Sequence, residues 1–228
     1  MILLLGLVTV LAIFPLVPDP LRLSLKQRWS RALVATLGIR LEIHGETPPA
    51  GAMIVANHVS WVDIFAINAL TPAAFISKAE VRQWPLIGWL AQHNDTVFLR
   101  RGSRGHARIV NTEIVRLMQS GKPVALFPEG TTTDGSHLLH FHGALLQPAI
   151  DAGAPIAPVA IRYLEADGAL ALAPAYIGEM SLVACITNII AAHGLRARLT
   201  CLPPIRDDHG HRKVLNARLH AAIAAELG

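Results

Sequence analysis

An α/β fold, with a largely parallel central sheet flanked by helices, is predicted for residues 41–228 by two features of the sequence. Short apolar runs alternate with helical stretches from about residue 40 onward, and most of those runs are apolar throughout, as strands covered on both faces are. A third feature is composition: 228 residues with 52% hydrophobic, 16% charged and a mean hydropathy of +0.42 supply a sizeable core and exclude a disordered chain.

The strands are read at 41–44, 52–57, 73–77, 95–99, 123–128 and 155–163, with helices at about 61–70, 80–91, 104–119 and 143–152. Residues 164–178 are weakly patterned; a helix near 179–192, a strand at 195–201 and a C-terminal helix near 209–227 follow. No period of 20–50 residues repeats, and no linker divides the chain into two soluble domains. In such a sheet ligands collect where loops leave the carboxyl ends of strands, so the loops after Ala56, Leu99 and Leu126 are expected to hold the chemistry.

Residues 1–40 are predicted to be a separate, membrane-associating pair of helices, one apolar and one amphipathic. Residues 1–18 carry no charge and as a helix would be about 25 Å long, slightly short of the roughly 30 Å hydrocarbon core. They lack the cationic start and small-residue cleavage site of a secretory signal, so the segment is expected to remain in the mature protein. The stretch after it places Leu21, Leu25, Trp29, Ala32 and Leu33 at spacings near 3.6 with cations between them, the pattern of a helix lying in a membrane interface. A buried helix followed by a core helix, and two helices dipping into one leaflet, are the alternatives.

Charge supports the same reading. The 20 Lys and Arg against 16 Asp and Glu give +4, and Arg22, Lys26, Arg28, Arg31 and Arg40 against Asp19 account for all of it. That placement argues against a general nucleic-acid surface and favours anionic lipid headgroups; cations after the apolar segment put the following domain on the cytoplasmic side of a membrane. The two cysteines, Cys185 and Cys201, are too few for a metal cluster and are expected to be reduced, buried thiols.

Three strand ends carry candidate chemistry. After the strand ending at Ala56 comes Asn57-His58-Val59-Ser60-Trp61-Val62-Asp63. Five residues along one continuous helix would set two side chains roughly 140° apart, so His58 is placed in the turn before the helix, with Ser60 as N-cap and Asp63 at N3. Asp63 then reaches back to one imidazole nitrogen and leaves the other basic enough to take a proton from a hydroxyl. A capping box beside an incidental His fits the spacing equally well. There is no G-x-S-x-G elbow and neither cysteine stands beside a His, so the attacking group is expected to be a substrate hydroxyl, with no covalent intermediate.

The second strand end, Val97-Phe98-Leu99-Arg100-Arg101-Gly102-Ser103-Arg104 with Arg108 following, gathers guanidinium groups whose planar forks match phosphate; a solvated helix start is the alternative for Arg104 and Arg108. In the third, Phe127-Pro128-Glu129-Gly130-Thr131-Thr132, Gly130 permits close backbone approach while Glu129 and the threonines offer acceptors and donors.

Together these segments resemble the glycerolipid acyltransferase superfamily. Asn57, His58 and Asp63 match its N-H-x-x-x-x-D motif, and Phe98-Leu99-Arg100-Arg101 its second motif, with Arg100 in place of a frequent acidic residue. Phe127 to Thr131 match F-P-E-G-T, with Thr132 where Arg is usual. Ile156-Ala157-Pro158-Val159-Ala160 resembles the apolar fourth motif, and Ser77-Lys78 a position near the phosphate. Four ordered motifs over roughly residues 40–165 are far more specific than any one of them.

The resemblance implies a 1-acyl-sn-glycerol-3-phosphate (lysophosphatidate) acyltransferase that moves an acyl chain from acyl carrier protein or coenzyme A to a lysolipid hydroxyl, forming phosphatidate. It makes His58 the general base and Asp63 its orienter. Arg101 with Lys78 would hold the acceptor headgroup; Glu129, Gly130 and Thr131 would shape its pocket, and Pro158 would set the wall of the acyl site. No metal or redox cofactor is implied. Thr132 weakens the case for phosphate, because E-G-T-T also resembles lyso-ornithine-lipid acyltransferases, whose acceptor carries an amine and a carboxylate. A membrane-associated lipid-binding protein on the same scaffold is the non-enzyme alternative.

Overall fold

The structure, a computed structural model, describes residues 16–83, 88, 96–99, 104–206 and 211–228, apart from the side chains of Lys78, Arg104, His106 and Ala107. In chain order the elements are α1 (Asp19–Thr36), β1 (Arg40–His44), β2 (Met53–Ala56), α2 (Asp63–Leu70), β3 (Ala74–Lys78), β4 (Val97–Leu99), α3 (Arg104–Gln119), β5 (Val124–Leu126), α4 (Gln147–Ala152), β6 (Ile156–Leu164), α5 (Leu182–Ala191), β7 (Arg196–Cys201) and α6 (Arg212–Leu227). Short 3₁₀ turns cover Ala79–Gln83 and Gly143–Leu146. The predicted helix 143–152 is thus a 3₁₀ turn followed by a short α-helix, with Pro148 in its first turn, where a missing N–H costs nothing. Most of the predicted helix 80–91 lies outside the described residues.

The seven strands form one sheet in the order β1-β7-β6-β2-β5-β3-β4, parallel throughout except for the β6–β7 pair. Every residue of β2 and β5 is buried, which accounts for their unbroken apolar sequences. One face of the sheet is covered by α1, α2 and α5, through Val34, Ile67 and Ile189 among others. The other is covered by α3, α4 and α6, through Ile114, Ala149 and Leu219. Because β2, β5, β3 and β4 are adjacent and parallel, their carboxyl ends lie along one edge, and the segments singled out by sequence follow directly from them.

The N-terminal region departs from expectation in its second helix. Residues 1–15 lie outside the described residues, and among the described residues no helix is long and apolar enough to cross a membrane. Helix α1 exists as predicted, but it docks on the domain: Lys26, Ser30, Leu33 and Val34 are its buried residues, while Leu21 is exposed. Its polar side chains cap the C-terminal end of α2 and the turn after it. Gln27 Nε2 donates to the Leu70 carbonyl (2.9 Å), Arg31 Nε to that of Ala69 (2.9 Å) and Lys26 Nζ to that of Ala73 (2.7 Å). Helix-terminal carbonyls have no partners within the helix and carry partial negative charge, so cations are well placed there. Lys26 and Arg31 therefore serve the fold rather than lipid headgroups. Both cysteines are free and buried as expected, and burial pushes the Cys201 thiol up to about 11.

Candidate active site

The site begins where β2 ends. Asn57 turns its side chain onto β6: its Nδ2 donates to the Ile161 carbonyl (2.9 Å) and its Oδ1 accepts from the Ile161 amide (2.7 Å). The chain then leaves the sheet, and His58 is the first residue of the turn. Its main chain is tied to the loop after β5 from both sides. The His58 amide donates to Glu129 Oε1 (2.9 Å), and the His58 carbonyl accepts from the Thr133 amide (2.9 Å). The imidazole stacks on Phe127, with ring centroids 3.9 Å apart and planes 8° from parallel.

Asp63 opens α2 and is fully buried. Its Oδ2 lies 2.8 Å from His58 Nδ1 and accepts from the amides of Val59 (2.7 Å) and Ser60 (2.9 Å). Its Oδ1 accepts from the Tyr163 hydroxyl at 2.7 Å. Ionised, this carboxylate only accepts, so the proton of a neutral His58 sits on Nδ1 and Nε2 keeps its lone pair. The His58 side chain is 19% exposed, so the ring is held from within yet reachable from outside.

The capping geometry differs from that predicted. The helix starts at Asp63 rather than after Ser60, and Ser60 is fully buried without capping it. The carboxylate of Asp63 does the work instead, folding back onto the Val59 and Ser60 amides. A charged acceptor forms stronger bonds to those amides than a hydroxyl would.

Glu129 is buried, and both of its oxygens are engaged, Oε1 by His58 and Oε2 by the Leu139 amide (2.8 Å). It shapes the site as a brace between two loops rather than as a group offered to a ligand. Burial raises its carboxyl above the ordinary value of 4.5, against the lowering effect of the two amides and of His58. A carboxyl raised in this way contributes stability that is complete below pH 4.5 and is lost as the pH climbs through its folded value. Relative to a Glu129→Gln variant, which has no such titration, the native chain should therefore lose unfolding free energy as the pH rises from 4.5. Urea unfolding of both proteins across a pH series measures this, and a difference that moves in the native chain's favour with rising pH would contradict the assignment.

Gly130 has φ 71°, a left-handed conformation that a side chain would strain, and its amide closes a turn onto the Phe127 carbonyl (3.1 Å). Thr131 is exposed at that turn. Thr132 donates its hydroxyl to the Tyr176 carbonyl, while the Tyr176 amide donates to the Val59 carbonyl (2.9 Å), so the segment before α5 is pinned across the site.

Pro158 is the centre of the apolar fourth segment. It is buried within β6, opposite Val55 of β2, and by strand alternation it points with Ile156 and Ala160 into the core under α3 and α6. That face is opposite the one where Tyr163 meets Asp63, so Pro158 is a packing residue of the sheet. Its missing N–H falls just before the β6–β7 ladder begins at Val159, and its carbonyl accepts from the Leu202 amide (3.0 Å). Lys78 ends β3 in register with Leu99 of β4, on the same edge as His58. Arg100 and Arg101 lie outside the described residues.

Two contributors are missing from the sequence reading. Tyr163 was signalled by alternation, since Val159, Ile161 and Tyr163 share one buried face and a buried phenol needs an acceptor. Phe127 was present in a motif, but nothing in its spacing pointed to a ring stacked on the imidazole.

Fold and site together define an α/β enzyme with a histidine–carboxylate pair at the carboxyl edge of its sheet. The chain belongs to the acyltransferase family, whose model, described as Acyltransferase, matches residues 40–162. It is 38% identical over 208 residues to the lyso-ornithine lipid O-acyltransferase of Pseudomonas aeruginosa, covering 91% of this chain and 80% of that one. It is 40% identical over 171 residues to the 1-acyl-sn-glycerol-3-phosphate acyltransferase of Neisseria meningitidis, covering 74% of this chain and 67% of that one. The crystal structure of the 1-acyl-sn-glycerophosphate acyltransferase PlsC from Thermotoga maritima superposes with a TM-score of 0.71 over 99% of this chain and 91% of that one; at 22% identity the likeness is one of fold.

Proposed function

We propose that this acyltransferase O-acylates a lysolipid, with His58 as general base and an acyl thioester of acyl carrier protein or coenzyme A as donor. The observation that carries the reading is the Asp63 carboxylate on His58 Nδ1, which leaves Nε2 as the one free basic nitrogen on a partly exposed ring. In the reaction Nε2 takes the proton of the acceptor hydroxyl as its oxygen bonds to the thioester carbon. The tetrahedral oxyanion then collapses, the C–S bond breaks, and the departing thiolate recovers the proton from Nε2. All of this needs the acceptor hydroxyl in place of a protein nucleophile.

For the acceptor we take lysophosphatidate, on the strength of Arg100 and Arg101 in the sequence after β4. β4 lies three strand spacings, about 14 Å, from β2, with its carboxyl end on the same edge of the sheet. One observation favours lyso-ornithine lipid instead. Thr132, at the position usually held by Arg, is committed to a main-chain carbonyl, so this loop supplies no cation there.

The test is acyl transfer by the detergent-solubilised protein with both lysolipids and both thioester donors, using His58→Ala as the blank. The phosphate reading expects faster turnover of lysophosphatidate, and Arg101→Ala should raise its KM about tenfold or more while changing that of an uncharged acceptor little. Faster turnover of lyso-ornithine lipid, or equal effects of Arg101→Ala on both acceptors, would overturn the phosphate assignment.

A further inference from the structure

The best-formed contact of the dyad with the sheet lies outside the family motifs. Asp63 Oδ2 serves three donors, whereas Oδ1 receives the Tyr163 hydroxyl at 2.7 Å. Tyr163 is 1% exposed, near the end of β6, and reaches across from the sheet to the first residue of α2. We propose that Tyr163 is a positioning residue for acyl transfer: its hydroxyl fixes the rotation of the Asp63 carboxyl and moderates the negative charge that Asp63 presents to His58. The inference rests on the general-base role given to His58 above.

Three physical steps lead to it. A carboxyl held through one oxygen alone rotates about its last bond, and the second anchor, on a rigid strand, removes that freedom. A donor on Oδ1 draws charge from the carboxylate, which weakens the stabilisation Asp63 gives to a protonated His58. Burial and the adjacent Asp63 hold the Tyr163 phenol well above its ordinary range, so it remains a donor wherever the enzyme works. The other ionisable groups around the pair are Glu129, from the loop after β5, which interacts with both His58 and Asp63, and Cys185 of α5, which faces Tyr163 and whose thiol burial keeps neutral. Neither touches Asp63 Oδ1.

Tyr163→Phe retains the ring and removes only the hydroxyl. The expected result is a fall in kcat of about tenfold with KM for acceptor unchanged, since nothing that binds substrate is altered. The limb of the pH–rate profile that reports deprotonation of His58 should also move up, by about half a unit, because Asp63 now stabilises the imidazolium more strongly. A purely structural role would lower the fraction of active enzyme without moving that limb.

A second measurement strengthens the hydroxyl instead of deleting it. The chain has two tyrosines, and the contacts described above for Tyr176 with Val59 and Thr132 are made by its main chain, so 3-fluorotyrosine labelling in a Tyr176→Phe background marks Tyr163 alone. The more acidic phenol is a better donor, and the limb should then move down. Wild-type kcat and an unmoved limb in Tyr163→Phe, or equal limbs with and without fluorine, would overturn the proposal while leaving His58→Ala inactive. Near-normal turnover by His58→Ala would instead overturn the general-base reading itself.

Discussion

Replacing His58 with Ala is expected to reduce acyl transfer by about a thousandfold while leaving the protein folded, because the substitution removes the base without orphaning the charge behind it. Asp63 loses one of four donors and keeps the amides of Val59 and Ser60 and the hydroxyl of Tyr163. The ring's stacking on Phe127 is also lost, at the edge of the core rather than within it. A stability cost of about 1 kcal/mol follows, or a few degrees in melting temperature. Single-turnover assays beside thermal unfolding separate the two effects. Activity within tenfold of native in the folded variant would remove His58 from the chemistry. Asp63→Ala is a poorer probe, since it would strip partners from the His58 ring, two amides and a buried phenol at once.

The contrast between those two substitutions shows what the sequence conveyed and what it withheld. The strand ends after Ala56 and Leu126 were legible because β2 and β5 are buried in every residue and so stand out as apolar runs. The five-residue spacing from His58 to Asp63 was read as a histidine in the turn before the helix and a carboxylate reaching back to it from the helix, and the two lie so. The direction of the capping was not legible, because a serine and an aspartate at such positions are both credible caps, and only the backbone path decides which folds back.

The partners of α1 were hidden for a related reason. Its periodicity revealed a helix, but whether Lys26 and Arg31 meet lipid or the carbonyls of Ala73, after α2, and Ala69, in its last turn, depends on tertiary placement. Pro158 shows the same limit on a strand: its neighbours marked it as apolar and central, while the face it occupies follows from the register of β6 on β2.

Asn57 leads to a second large effect, this time on stability. It precedes His58 and could be taken for part of the chemistry, yet its side-chain amide is spent on the main chain of β6. Pro155, just before β6, and Ile161 within it both direct main-chain groups toward β2: the Pro155 carbonyl accepts from the Met53 amide (2.9 Å), while Ile161 meets the Asn57 side chain. The side-chain amide therefore stands in for one more residue of β2, and lets the main chain turn away toward His58 without leaving the ladder open. Asn57→Ala would leave both the amide and the carbonyl of Ile161 buried without partners. At about 1–3 kcal/mol for each, the loss is about 2–6 kcal/mol, and a fall in melting temperature of about 10 °C is expected for a chain of this size. Asn57→Asp should not rescue it, because a carboxylate can accept from the Ile161 amide but cannot donate to its carbonyl, and it would bring an unpaired charge into the core. Thermal and urea unfolding of both variants tests this. A loss of activity in Asn57→Ala with native stability would show that the residue acts in the reaction rather than in ending the strand.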